Sequence, residues 1–231
     1  MSTPIKKFLS IPVEKNEIVF TYFGYSGVIF KTKDKTITID MCKMCFKDDD
    51  QIKELKNLDL QLNTHTHRDH FDVGTTKKLF ENTGATVIAD PEVIKGLEAK
   101  IPPEKMKGLT SGERFSIIGL EVSAVSGVHR GSITLFKISF PDFSIFHGGD
   151  SGVIPLKEYT ADLAFIPTGA PSPTCSPENA LKMALDVNPK VVVTMHGNQD
   201  QMQKFKALVL KEMPDLNVII PKIMEPIKIQ I

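Results

Sequence analysis

The sequence predicts one α/β domain spanning residues 1–231, with β-sheets inside and helices outside. Each half opens with segments of strand composition before helical spacing appears, and strands then alternate with helices. No internal repeat, low-complexity stretch or linker-like segment divides the chain. Its 231 residues, 41% hydrophobic and 24% charged, are enough to bury a sizeable core.

The elements follow in order. Residues 18–23, 28–31 and 36–40 are rich in β-branched and aromatic side chains, broken by Gly24-Tyr25-Ser26-Gly27 and by the polar turn Lys33-Asp34-Lys35, and they read as a hairpin or meander. Ile52, Leu55 and Leu58 place a helix over 48–58, with Asp48-Asp49-Asp50 suited to its positive end. Residues 58–64 read as a buried strand. Asp72 caps a helix through Leu79 and Phe80, 86–89 is a strand, and Pro91 opens a helix carrying Val93, Ile94 and Leu97. In the second half, 114–125 reads as two strands split at Gly119, and 133–140 with 143–147 as a hairpin across Pro141-Asp142. A strand over 163–166 leads into the proline-bearing loop 167–177, placed to line the mouth of a site. Helices over 178–185 and 199–213 flank a strand over 190–195, and 216–220 and 227–231 read as terminal strands.

Composition removes several classes of function. The 28 basic and 28 acidic side chains balance, so the surplus of Lys and Arg that phosphate binding requires is absent, and nucleic acid is not the expected partner. No apolar run approaches the roughly 18 residues of a membrane span. The first 20 residues hold Lys6 and Lys7, and Pro12, Glu14, Lys15, Asn16 and Glu17 interrupt any apolar signal-like run, so a cytoplasmic location is expected. Three cysteines are too few for a disulfide framework. Cys42-Lys43-Met44-Cys45 is a lone C-x-x-C, read here as two small apolar side chains in a loop, and Cys175 has no partner motif. The nine Met residues read as core filling.

The six histidines carry the chemistry. Three of them fall in His65-Thr66-His67-Arg68-Asp69-His70, at the end of a strand. From residue frequencies alone, this pattern arises in roughly 1 of 4,000 such sequences. Histidines at i and i+2 leaving a strand can face the same way, while Asp69 and His70 turn toward a second point. Neutral imidazole with carboxylate is a ligand set that divalent transition metals favour. The other candidates also follow strands: His129 after Ser126-Gly127-Val128, Asp150 after Gly148-Gly149, and His196 before Gly197. Strand ends are where open α/β sheets place ligands. His147, three residues before Asp150, and Asp40, at a strand end, are candidates for orienting a ligand from behind.

This order of motifs resembles the metallo-β-lactamase superfamily, over essentially the whole chain. Gly24-Tyr25-Ser26-Gly27, residues 36–40, Phe146-His147-Gly148-Gly149-Asp150 and residues 189–196 are similar to its compact metal-dependent hydrolases, related to the ascorbate-phosphate lactonase branch. The resemblance implies an αβ/βα sandwich, two mixed β-sheets packed face to face with helices outside. It implies His65, His67 and His129 on one metal, Asp69, His70 and His196 on a second, and Asp150 bridging them. Two ions sharing a hydroxide, most simply Zn2+ with Mn2+ or Fe as alternatives, then hydrolyse a small ester, lactone or phosphodiester, and Asp69 doubles as a proton shuttle.

The sequence departs from the branch at two places. Tyr25 stands where members often carry His, and Asp40-Met41 where they often carry Asp-Pro; Tyr25 is expected to donate a hydrogen bond near the substrate. Three other readings stay open: an iron-dependent oxidoreductase or dioxygenase on the same scaffold, a nuclease of the tRNA 3′-end type, and a non-catalytic metal-dependent ligand sensor. The nuclease reading needs a substrate-gripping arm, for which 231 residues of neutral charge leave little room. The expected partner is a small molecule, and oligomeric state is left open.

Overall fold

A computed structural model describes residues 2–169 and 174–231. They form two compact units, Met1–Leu109 with Lys222–Gln230, and Thr110–Pro221 with Ile231. Each unit is built on one seven-stranded mixed sheet. Among the described residues, no helix is long and apolar enough to cross a membrane.

In the first unit, β1 (Glu17–Gly24), β2 (Gly27–Lys31) and β3 (Thr36–Ile39) pair antiparallel, as their tight turns require. The C-terminal strand Pro226–Gln230 adds antiparallel to β1. On the other side, β4 (Leu60–Asn63), β5 (Thr86–Ala89) and β6 (Met106–Gly108) continue the sheet in parallel from β3. Parallel neighbours need crossovers, and helices supply them. These are α2 (Asp49–Glu54), capped by Asp48; α3 (Val73–Thr83), capped by Asp72 and closed by Gly84 in the left-handed region; and α4 (Pro91–Leu97), capped by Asp90 with Pro91 at its first position. Ile39 is in register with Leu62, and the Asp40 N–H donates to the Leu62 carbonyl at 2.9 Å. The residues that follow β3 and β4 therefore leave the same edge of the sheet side by side.

Two differences from the sequence reading have physical causes. The helix expected over 48–58 ends at Glu54, because Leu55 and Leu58 serve the core with Val19, Ile29, Ile52 and Leu79 from an extended segment. An N-terminal helix α1 (Pro4–Ser10) was not expected; only Ile5 and Phe8 are buried on it, too few for a periodic signal. Thr3 caps it and Pro4 opens it, which is the local cue that was available.

In the second unit, β7 (Arg114–Ile117), β8 (Leu120–Ser126), β9 (Thr134–Ser139) and β10 (Ser144–His147) form an antiparallel meander. Then β11 (Leu163–Pro167), β12 (Val191–Met195) and β13 (Asn217–Ile219) continue in parallel. The crossovers around β12 are α5 (Pro177–Val187), capped by Ser176, and α6 (Gln199–Glu212), held by a reciprocal capping box between Asn198 and Gln201. Both helices pack onto Phe146, Ala164, Ile166 and Val192 of the sheet through Ala180, Met183, Ala184, Phe205 and Val209. Phe205 is fully buried in this cluster. Truncation by Phe205→Ala leaves a cavity and is expected to lower stability by about 3–5 kcal/mol, read as a shift in the urea midpoint at unchanged slope. A change below about 1 kcal/mol contradicts this account of the core.

Candidate metal centre

The site residues of the first unit follow directly from the parallel register. The chain leaves β3 at Asp40 and β4 at Thr64-His65, so a buried carboxylate stands beside the histidine motif. Asp40 has its backbone in the left-handed region at φ +52°, which Asp tolerates better than most residues. Its Oδ1 accepts from the Thr64 N–H at 2.7 Å. Its Oδ2 accepts from the Thr64 hydroxyl at 2.7 Å and stands 2.8 Å from His70 Nδ1.

These bonds set the proton positions. An ionised carboxylate only accepts, so His70 carries its proton on Nδ1. The single Thr64 hydroxyl proton goes to Asp40, so Thr64 Oγ1 must accept from His65 Nδ1, 3.0 Å away. Both imidazoles therefore turn a basic Nε2 away from Asp40, the form a metal ion takes. A turn in which the His67 carbonyl accepts from the N–H groups of His70 and Phe71 folds the motif back on itself. It brings the His65 ring to 4.7 Å from that of His67 and 4.2 Å from that of His70, centroid to centroid. Asp69 Oδ2 stands 3.6 Å from His70 Nε2. His65 and His70 are buried, Asp69 is half-buried and His67 is exposed.

The second unit assembles His129, Asp150 and His196. Asp150, 3% exposed, places Oδ1 3.5 Å from His129 Nδ1 and Oδ2 3.7 Å from His196 Nε2. Two serine bonds lace the loops together: Ser151 Oγ accepts from the Val128 N–H at 2.8 Å and donates to the Gly152 carbonyl at 2.8 Å. The Gly152 N–H in turn donates to the Val128 carbonyl at 2.7 Å. His196 has φ +49°, and its carbonyl lies so close to Gly169 that any side chain there would overlap it. Glycine at 169 is thus required to hold the His196 turn.

The ligand-type atoms fit a divalent metal in both chemistry and spacing. Two donors each about 2.0–2.2 Å from a tetrahedral ion stand roughly 3.4 Å apart. The separations within the two clusters are 3.5, 3.6 and 3.7 Å, longer than hydrogen bonds and close to that value. Neutral imidazoles with carboxylates, and no thiol among them, form a hard-to-borderline set suited to zinc, manganese or iron.

Other expected site residues are placed differently. His147 is fully buried, and its Nδ1 accepts from the Gly149 N–H at 3.2 Å, so it braces the glycine turn ahead of Asp150 through the backbone. Tyr25 lies on the β1–β2 turn with φ +50°, half exposed, its carbonyl accepting from the Tyr22 hydroxyl at 2.9 Å. Of the proline-bearing loop, Thr168 and Gly169 abut the His196 turn, whereas residues 170–173 lie outside the described residues. Thr64 and Ser151 were not singled out from sequence. Their signal was adjacency alone, one residue before His65 and one after Asp150.

Known proteins resemble this chain in sequence and in fold. Residues 19–196 match the model of the β-lactamase superfamily domain. A UPF0173 metal-dependent hydrolase of Caldivirga maquilingensis is 30% identical over 73% of this chain and 79% of its own length. One of Methanosarcina mazei is 25% identical over 79% and 84%. Among solved structures, Igni18, a metallo hydrolase from Ignicoccus hospitalis, superposes with a TM-score of 0.79 at 22% identity, covering 93% of this chain and 99% of that one. This likeness shows the shared fold, an α/β sandwich with two mixed sheets. The chain belongs to the UPF0173 metal-dependent hydrolases of the metallo-β-lactamase superfamily.

Proposed function

We propose that the chain is a binuclear zinc hydrolase of small esters, lactones or phosphodiesters, acting in the cytoplasm. On this reading His65, His67 and His129 would hold one ion and Asp69, His70 and His196 the other, with Asp150 as the ligand they would share; these residues form two groups with ligand spacing. The observation that carries this reading is the Asp150 carboxylate, whose two oxygens each face a different imidazole, as a bridging ligand requires. When bound, such a pair of ions supplies a water acidified toward neutrality and polarises the scissile carbonyl or phosphoryl oxygen.

The protein side chains set the conditions for that chemistry. Asp40 and Thr64 keep a proton on Nδ1 of His70 and His65, so both present Nε2 as a neutral donor. Asp69, with about a quarter of its side chain exposed, would receive a proton and pass it to the leaving oxygen; its partial exposure supports this role. Tyr25, exposed on the β1–β2 turn, would be the residue that donates a hydrogen bond to the substrate. The balanced charge of the chain favours a small molecule over a polyanion.

Metal analysis of untagged protein is expected to find about two equivalents of zinc per chain. In Asp150→Ala this falls to one or fewer, and turnover of a lactone or phosphodiester panel drops about a thousandfold, roughly 4 kcal/mol of transition-state stabilisation. Full turnover in that variant, or stoichiometric iron with oxygen consumption and no hydrolysis, contradicts the proposal. Asp40→Asn replaces one accepting oxygen with an amide donor; zinc affinity by chelator competition is expected to fall about 10–100-fold, and the melting temperature of the apo-protein is expected to fall as well, because a buried donor loses its acceptor. Unaltered zinc affinity would show that Asp40 does not orient the ligands.

A further inference from the structure

We propose that Cys42 and Cys45 form a reversible intramolecular disulfide, a dithiol redox site directly behind Asp40 that takes hydroperoxides as its oxidant. The two residues close a single 3-10 turn, in which the Cys45 N–H donates to the Cys42 carbonyl at 3.0 Å. Such a turn holds its first and fourth Cα atoms within about 7 Å, inside the range a disulfide spans. The two side chains lie in the same buried apolar cluster beside this turn. A side chain at Gly27 would strike Cys45 Sγ at 2.9 Å, so glycine there keeps space for that sulfur. Both thiols are buried, but Lys43 and Met44 between them are exposed, which leaves one turn of chain between the pair and solvent.

The contact also differentiates the two groups. Hydrogen bonding from Cys45 lowers the Cys42 thiol to about 7, while its own contact with Cys42 and burial raise Cys45. Cys42 is the attacking sulfur on this account: its thiolate takes one oxygen from the hydroperoxide, giving a sulfenic acid and releasing water or an alcohol. Cys45 then attacks the Cys42 sulfur, the S–S bond forms, and the sulfenic oxygen leaves as water with the Cys45 proton. Two thiols and one hydroperoxide become one disulfide, one water and one water or alcohol, and an external dithiol reverses the change. Cys175 provides an internal contrast, since burial pushes its thiol up to about 12 and its sulfur donates to the Ser151 carbonyl. Cys45 Sγ lies 4.0 Å from the Asp40 carbonyl, so oxidation changes the packing directly behind the residue that orients His65 and His70.

The test exposes the wild-type protein to hydrogen peroxide, alkylates the remaining thiols and maps the peptides by mass spectrometry. The peptide holding both residues is expected to lose two hydrogen atoms and escape alkylation, dithiothreitol is expected to restore it, and Cys175 is expected to stay reduced. Cys45→Ser is expected to stop at a sulfenic acid on Cys42, trapped by dimedone; if that variant does not fold, the wild-type map alone decides. Both thiols still alkylated after peroxide, a disulfide only between chains, or direct oxidation to sulfinic acid would overturn the proposal.

Discussion

The candidate site depends on one buried carboxylate. Burying an ionised aspartate costs several kcal/mol unless its oxygens are satisfied, and Asp40 meets that condition with the Thr64 N–H, the Thr64 hydroxyl and His70 Nδ1. The parallel register of β3 and β4 makes the arrangement available, because it delivers Asp40 and Thr64 to one sheet edge. A one-residue slip would send Asp40 and the histidine motif to opposite faces. The same bonds that satisfy the carboxylate also place two imidazole protons, so stability and ligand orientation have a common origin.

The second unit reaches a comparable result by close approach of backbone. Gly127 lies against Ser151, Gly148 against Pro167 and Gly169 against the His196 carbonyl; a Cβ at any of these would come within 3 Å of its neighbour. Ser151 then ties the loop of His129 to that of Asp150. The candidate-site turns in both units leave the ends of strands whose positions are set by each unit's own apolar cluster, so the polar groups add direction to a frame that burial already provides.

Much of this was readable from the sequence, because His65-Thr66-His67-Arg68-Asp69-His70 concentrates its chemistry in six residues and follows a recognisable strand. The strands and capped helices around it carried local signals: Asp72 and Pro91 fell where helices begin. Other features depend on distant contacts. Asp40 and Thr64 are 24 residues apart and meet only through register. Thr64 and Ser151 look like ordinary polar residues until their partners are known. The early end of α2 reflects packing of Leu55 that overrides helical spacing, and β6 has only three residues, too few for a period to show.

Asp40, directly and through Thr64, places the protons of two imidazoles. Nitrogen-15 correlation spectra of the histidine side chains in the zinc-loaded protein test it most directly. A proton on Nδ1 and none on Nε2 is expected for both His65 and His70. A proton on Nε2 of either ring would contradict it.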